Sequence, residues 1–260
     1  MTHRAIAILG AVSLVLAEDT RVTRKLLSAL GISARLASYH DHSGPEAGER
    51  ALSLIAQGQA VALVSDAGTP LVSDPGYRLV TAAIEQGLAV IPAPGACAVT
   101  AALSASGLPS DRFFFAGFLP VKSGARRAEL NALAAVPGTL IFFESGPRLA
   151  DSLADMAQTL GDRPAVVARE ITKLFEEFRR GLLPELAAHY ADAGAPKGEI
   201  VVLIGPPPAP PAPSDQAVDA ALIEALGTQG VKAAAKAVAA QLGLSATVLY
   251  ARALVLKDRG

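Results

Sequence analysis

The chain has 260 residues, 51% of them hydrophobic and 18% charged, with a formal net charge of −1 at pH 7. Such a composition is globular, the length suits one large domain or two small ones, and the balanced charge excludes a strong global field for nucleic acid. One cysteine excludes an internal disulfide framework, four scattered histidines offer no zinc spacing, and no apolar run approaches bilayer length; neither a metal site nor a membrane span is expected.

The chain opens with MTHRAIAILGAVSLVLAED, one Arg followed by an apolar stretch, as in a signal peptide. No small-residue cleavage site follows and AEDTRVTRK continues as an amphipathic segment, so the protein is expected to be cytoplasmic. Residues 13–17 read as a strand and 22–30 as a helix. His40 and His42 then straddle Asp41 in a polar loop before Gly44-Pro45 and read as surface residues. A helix over 45–57, a strand over 60–65, a helix over 76–86, a strand over 89–91 and a helix over 98–106 follow. SGLPSDR, 106–112, combines Gly, Pro and turn formers and marks a boundary. Beyond it strands at 113–117, 139–143, 165–168 and 200–204 alternate with helices at 126–134, 148–160 and 184–192. Short runs of Val, Leu, Ile and Phe alternating with segments of helical period predict mostly parallel sheets covered by helices. PPPAPPAPS, 206–214, is an extended linker, and the remainder holds three short helical patterns, the first capped by Ser214-Asp215. The expected organisation is an α/β lobe over 1–108, a second over 109–205, the linker, and a small helical domain over 215–260, whose Lys232, Lys236, Arg252 and Lys257 suit either an RNA contact or an ordinary solvated face.

Within ALVSDAGTPLVSDPG, 62–76, a strand empties into two near-copies of one tetrapeptide, Ser65-Asp66-Ala67-Gly68 and Ser73-Asp74-Pro75-Gly76. Ligands of open α/β sheets settle outside the carboxyl ends of parallel strands, and several strand ends here carry conspicuous loops: LAEDTR with Glu18, Asp19 and Arg21, the doubled motif, IPAPGACA with Cys97 and Ala98, FFESGPR with Phe143 and Glu144, and AREITK with Arg169, Glu170 and Lys173. Bland readings stand beside each: Asp before Gly is a common turn, Glu18, Asp19 and Glu144 suit helix caps, and Glu170 with Lys173 suits an exposed pair. No P-loop, G-x-G-x-x-G or G-x-S-x-G pattern is present. A binding loop without a phosphate cradle suits a ligand of mixed charge such as S-adenosylmethionine.

LVLAEDTRVTRKLL, VALVSDAGTPLVSDPGYRLV, FFFAGFLP, FFESGPRL, AREITKLFEEF and KGEIVVLIG, in this order over nearly all of 12–205, resemble the tetrapyrrole methylase superfamily. Within it they resemble the bacterial small-subunit ribosomal RNA 2′-O-methyltransferases. The resemblance implies a two-lobed class III methyltransferase, usually a homodimer, that uses S-adenosylmethionine to methylate a decoding-centre cytidine of 16S ribosomal RNA in the small subunit. It also implies that Asp66, Ala67, Gly68, Thr69, Pro70, Ser73, Cys97 and Ala98 line the cofactor from one lobe, and Phe143, Glu144 and Lys197, Gly198 and Glu199 from the other. Asp74-Pro75-Gly76 would turn the chain into the next helix. The family begins with a strand and a loop like P-I-G-N-L-x-D-I-T, and MTHRA aligns with that loop's end. The first strand is therefore expected to be missing, through a late start or a truncation in preference to a functional short form, leaving unpaired backbone in the sheet. PGACA and ESGPRL stand where the family has P-G-P-S-A and E-S-P-H-R-L.

A ribose 2′-hydroxyl is a weak nucleophile, so alignment with the methyl group and help from a base are the expected contributions. Asp19, Glu144 and Glu170 are the candidate bases, and Arg21, Arg169 and Lys173 the candidate RNA contacts. The alternatives are methylation of a corrin or diphthamide precursor, or a degenerate chain that binds RNA or cofactor without transfer.

Overall fold

The computed structural model describes residues 1–40, 45–208 and 213–257; Asp41, His42 and the middle of the proline-rich linker lie outside them. The chain forms two compact units, Met1–Pro207 and Pro208–Gly260.

The first unit begins with α1 (His3–Ala11), β1 (Leu14–Ala17), α2 (Thr20–Ala29), β2 (Leu36–Ser38), α3 (Pro45–Ala56), β3 (Val61–Val64), α4 (Tyr77–Glu85) and α5 (Ala98–Ser106). The strands form a parallel sheet in the order β2-β1-β3. All four residues of β1 are buried, as a central strand covered on both faces requires. Two elements were not legible in the sequence. Helix α1 is capped by Thr2, whose side chain accepts from the Ala5 amide, and β2 spans only three residues. The strand expected at 89–91 does not form: β3 stands at the sheet edge, no described strand pairs beyond it, and Ile91 is 70% exposed. A strand exists through its ladder, and apolar composition alone does not supply one.

The same unit continues through β4 (Phe113–Phe118), α6 (Ser123–Leu133), β5 (Thr139–Ser145), α7 (Gly146–Leu160), β6 (Pro164–Arg169), β7 (Glu177–Leu182), α8 (Leu183–Ala193) and β8 (Glu199–Ile204). Its sheet has the order β4-β5-β8-β6-β7. The expectation of mostly parallel sheets fails here. Only β4 and β5 run parallel, and the other three pairings are antiparallel. The physical reason is the short connection at 170–176, which returns the chain directly as β7, an edge strand whose EFRRGL sequence carries too little apolar signal to be read in advance.

Alternation along β5 divides the core between the two faces. Leu140 and Phe142 pack with Leu149, Leu153 and Met156 of α7, whereas Ile141 and Phe143 pack with Val99, Ala102 and Leu103 of α5. The second unit is α9 (Asp215–Leu226), α10 (Val231–Leu242) and α11 (Ala246–Lys257), around Val218, Leu222, Val238, Leu249 and Ala253. As expected, Ser214 caps α9, accepting from the Ala217 amide at 3.2 Å. Arg252 Nε lies 2.6 Å from Asp219 and Nη1 2.5 Å from Asp215, tying α11 to α9. No described helix is long and apolar enough to cross a membrane.

Candidate active site

A cleft of about 380 Å³ opens where the loops after β3, β5 and β6 meet the starts of α5 and β8. Its first wall comes from the doubled motif. After β3 the backbone turns left-handed at Gly68 (φ 66°), Leu71 (φ 72°), Ser73 (φ 64°) and Gly76 (φ 134°). The two glycines serve different ends. A Cβ on Gly68 would meet nothing within 4 Å, so the backbone stands open, whereas a Cβ on Gly76 would meet Leu63 Cδ2 at 2.5 Å and Leu71 Cδ1 at 2.9 Å. The first copy therefore leaves room for a ligand, and the second packs the chain tightly into α4. Thr69 Oγ1 donates to the Ala96 carbonyl at 3.1 Å, holding this loop to the one that carries Cys97 and Ala98.

Ala67, Gly68, Thr69, Ser73, Cys97 and Ala98 line the cleft on this side, and Phe143, Glu144, Gly198 and Glu199 on the other. Asp66, Pro70 and Lys197, also named from the sequence, do not. Asp66 instead ties two strand-end loops together: the Asp19 amide donates to its Oδ1 at 3.3 Å, and its own amide donates to Glu18 Oε2 at 3.4 Å. Sequence reasoning missed Val72, Asp74, Phe118 and Ile171. From the sequence Asp74 reads only as part of a turn. Burial, with the Glu18 and Asp66 charges nearby, pushes its carboxyl up to about 6 against the hydrogen bond from Ser65. Phe143 is met edge-on by Phe115 at 4.8 Å and Phe118 at 5.6 Å, which makes the second wall aromatic.

The three candidate bases are all engaged by the protein. Glu144 is 3% exposed and follows the α7-facing parity of β5. It accepts from Ser152 Oγ at 2.5 Å and from the Ser145 amide at 2.8 Å, and Arg148 lies at 3.3 Å. Asp19 lies outside the cleft wall and caps α2, accepting from the Arg21 amide at 2.8 Å; the Arg21 guanidinium holds its carboxyl well below the usual range. Glu170 likewise lies outside the wall. Lys173 at 2.7 Å, with the Glu199 amide at 3.0 Å, lowers its carboxyl. The RNA candidates are the partners in these pairs: Arg21 with Asp19, Lys173 with Glu170 and Glu199, and Arg169 with Glu177 at 3.3 Å. His40, read as a surface residue, sits at the end of β2 with a ring nitrogen 3.2 Å from the Glu18 carbonyl.

These walls fit S-adenosylmethionine by their chemistry. Phe118, Phe143, Ile171 and Val201 offer an apolar slot for a purine, Gly68 an open backbone, and Asp74 a carboxylate in no ion pair among the described residues for a cationic ligand. Among the described residues no group of three or more His, Cys, Asp or Glu is placed to hold a metal.

Known proteins share the architecture. Residues 1–187 match the Tetrapyrrole (Corrin/Porphyrin) Methylases. The structure of a uroporphyrin-III C-methyltransferase from Thermus thermophilus complexed with S-adenyl homocysteine superposes with a TM-score of 0.52 at 20% identity, over 78% of this chain and 90% of that one. At that identity the likeness speaks for the fold alone, an α/β architecture with two sheets. Closer in sequence is the ribosomal RNA small subunit methyltransferase I of Mesorhizobium japonicum, 53% identical over 99% of this chain and 88% of its own length. That of Erythrobacter litoralis is 54% identical over 99% of this chain and 90% of its own. The chain belongs to the tetrapyrrole methylase family, in the branch of ribosomal RNA small subunit methyltransferase I.

Proposed function

We propose that the protein transfers a methyl group from S-adenosylmethionine to the ribose 2′ oxygen of a cytidine, nucleotide 1402 of 16S ribosomal RNA, in the small ribosomal subunit. It acts as a homodimer in the cytoplasm. Membership of this branch makes it a ribosomal RNA methyltransferase. The ribose target, the particular cytidine and the subunit context rest on the motifs AEDTR, SDAGTP and SDPG shared with the 2′-O-methyltransferases. The observation that carries the cofactor is the cleft itself, lined by an open glycine backbone, a carboxylate in no ion pair among the described residues, and aromatic side chains.

Bound there, S-adenosylmethionine supplies an electrophilic methyl group on a sulfonium. Ala67, Gly68 and Thr69 hold one side through backbone, Phe143 and Ile171 exclude water from the other, and Asp74 complements positive charge. Of the carboxylates put forward as bases only Glu144 is in the wall, and its oxygens already accept hydrogen bonds from Ser145 and Ser152. Alignment of the ribose hydroxyl therefore carries most of the rate in this reading.

The test is transfer of labelled methyl to unmodified small subunits. The product phosphodiester should resist alkali, because a 2′-O-methyl group removes the internal nucleophile. Label recovered on a base, or no label, overturns the reading. Single Ala substitutions of Asp19, Glu144 and Glu170, each scored for turnover per folded molecule, separate alignment from base catalysis.

A further inference from the structure

The cations expected to meet RNA beside the cleft are paired with the protein's own carboxylates: Lys173 with Glu170 and Glu199, and Arg169 with Glu177, which Arg179 shares. Charge therefore does not account for the 170–176 loop. What the loop presents is apolar. Leu174 is 90% exposed and Phe175 65% exposed, although nothing about the loop is slack. The Lys173 amide donates to the Glu170 carbonyl at 2.9 Å, the Glu176 amide to the Lys173 carbonyl at 3.1 Å, and the Thr172 amide to Glu176 Oε2 at 2.6 Å. Glu170 and Thr172 are held at φ 49° and 67°, a region that a β-branched Thr enters only when its surroundings impose it. Ile171, at the loop's base, lines the cleft. Four residues of chain span at most about 14 Å, so the Phe175 backbone lies within that distance of Ile171.

We propose that Phe175, supported by Leu174, is the platform on which the base of the methyl-accepting nucleotide stacks while its ribose enters the cleft. This rests on the functional reading above. A nucleotide splayed from its stack can carry its 2′-hydroxyl into a cleft, and splayed RNA bases are held by stacking on aromatic side chains. Size favours a base over a protein partner: two side chains match one nucleobase, whereas a stable protein interface engages about 20–30 residues a side.

The chain contains no tryptophan, so Phe175→Trp installs a lone indole as a reporter. Phe175→Ala should lower kcat/KM for unmodified small subunits by about 5- to 100-fold, with the calorimetric Kd for S-adenosylmethionine unchanged. Phe175→Trp should stay near the parent activity, and its emission should change when unmodified subunits are added. Parent kcat/KM in Phe175→Ala overturns the proposal. So does full activity in Phe175→Leu, which would show that apolar bulk suffices, or a change of oligomeric state in Phe175→Ala by sedimentation, which would assign the side chain to an interface between copies. If the parent chain binds cofactor yet methylates no subunit, the functional reading itself falls, and this proposal with it.

Discussion

Glu170 folds its side chain into the space above Gly198. A Cβ at position 198 would meet Glu170 Cγ, Cδ and Oε1 at 2.5 Å, and Gly198 has φ 103°. The same Oε1 accepts from the Glu199 amide at 3.0 Å, so one carboxylate fixes the start of β8 and the base of the 170–176 loop together. Gly198→Ala should displace Glu170, loosen the cleft wall at Gly198 and Glu199, and destabilise the unit by about 1–3 kcal/mol. Urea denaturation measures the loss, and calorimetry should show cofactor binding weakened at least about tenfold. Gly58→Ala is the control: its φ is 80° but a Cβ there meets nothing, so it should cost only the backbone term and leave binding intact.

Asp74 should make the affinity for S-adenosylmethionine depend on pH. Its carboxyl titrates near 6 in the folded protein against an ordinary 3.8, chiefly because burial penalises the charged form. The folded state then holds the extra proton between those values. Asp74's contribution to stability is full below about 3.8 and is lost as pH rises through about 6. A cationic ligand favours the ionised form, so S-adenosylmethionine binding should tighten from pH 5 to pH 7 and release a proton near pH 6. Calorimetry in buffers of different ionisation enthalpy counts that proton. S-adenosylhomocysteine, without the sulfonium, should show a shallower dependence, and Asp74→Asn should flatten it.

The same two residues show what the sequence disclosed and what it hid. SDAGTP announced a ligand loop because its glycines and aspartates are turn chemistry repeated at a strand end, and most of the cleft wall was nameable from such local signals. Asp74 was not, because whether an aspartate in S-D-P-G merely turns the chain or faces a cavity depends on Ser73 standing at φ 64°, which no residue type encodes. Glu144 and Glu170 misled in the opposite direction. Both end strands beside the cleft, yet parity along β5 sends Glu144 to Ser152, and Gly198 admits Glu170 into a packing slot. The antiparallel run of β6, β7 and β8 was hidden for a related reason: an edge strand of EFRRGL is defined by its partner's backbone and not by its own apolar pattern.

Ser152 decides whether Glu144 is structural or chemical. Its hydroxyl is fully buried and donates to Glu144 Oε2 at 2.5 Å. Ser152→Ala leaves a buried carboxylate oxygen short of a donor and should cost about 1–3 kcal/mol in denaturant unfolding. Turnover of the folded fraction should change by less than about threefold. A large fall in kcat at unchanged stability would show that Glu144 acts on the reacting atoms.

Cys97 provides the direct test of the cleft as a cofactor site. It is the chain's single cysteine, half-buried, at the N-cap of α5 and in the cleft wall. A thiol-directed chromogenic reagent therefore reads one position only. Saturating S-adenosylmethionine should slow its reaction at least about tenfold, with a concentration dependence that returns the calorimetric Kd. Equal rates with and without cofactor would place the ligand elsewhere. The same position makes an opposite prediction for stability. Cys97 forms no side-chain capping bond, and serine is a preferred N-cap that can accept from the amides of the first turn. Cys97→Ser should therefore raise stability by about 0.5–1 kcal/mol while abolishing the chemical signal. Stabilisation with intact cofactor affinity would show that the wall at Cys97 contributes backbone and shape, and that the thiol itself is dispensable.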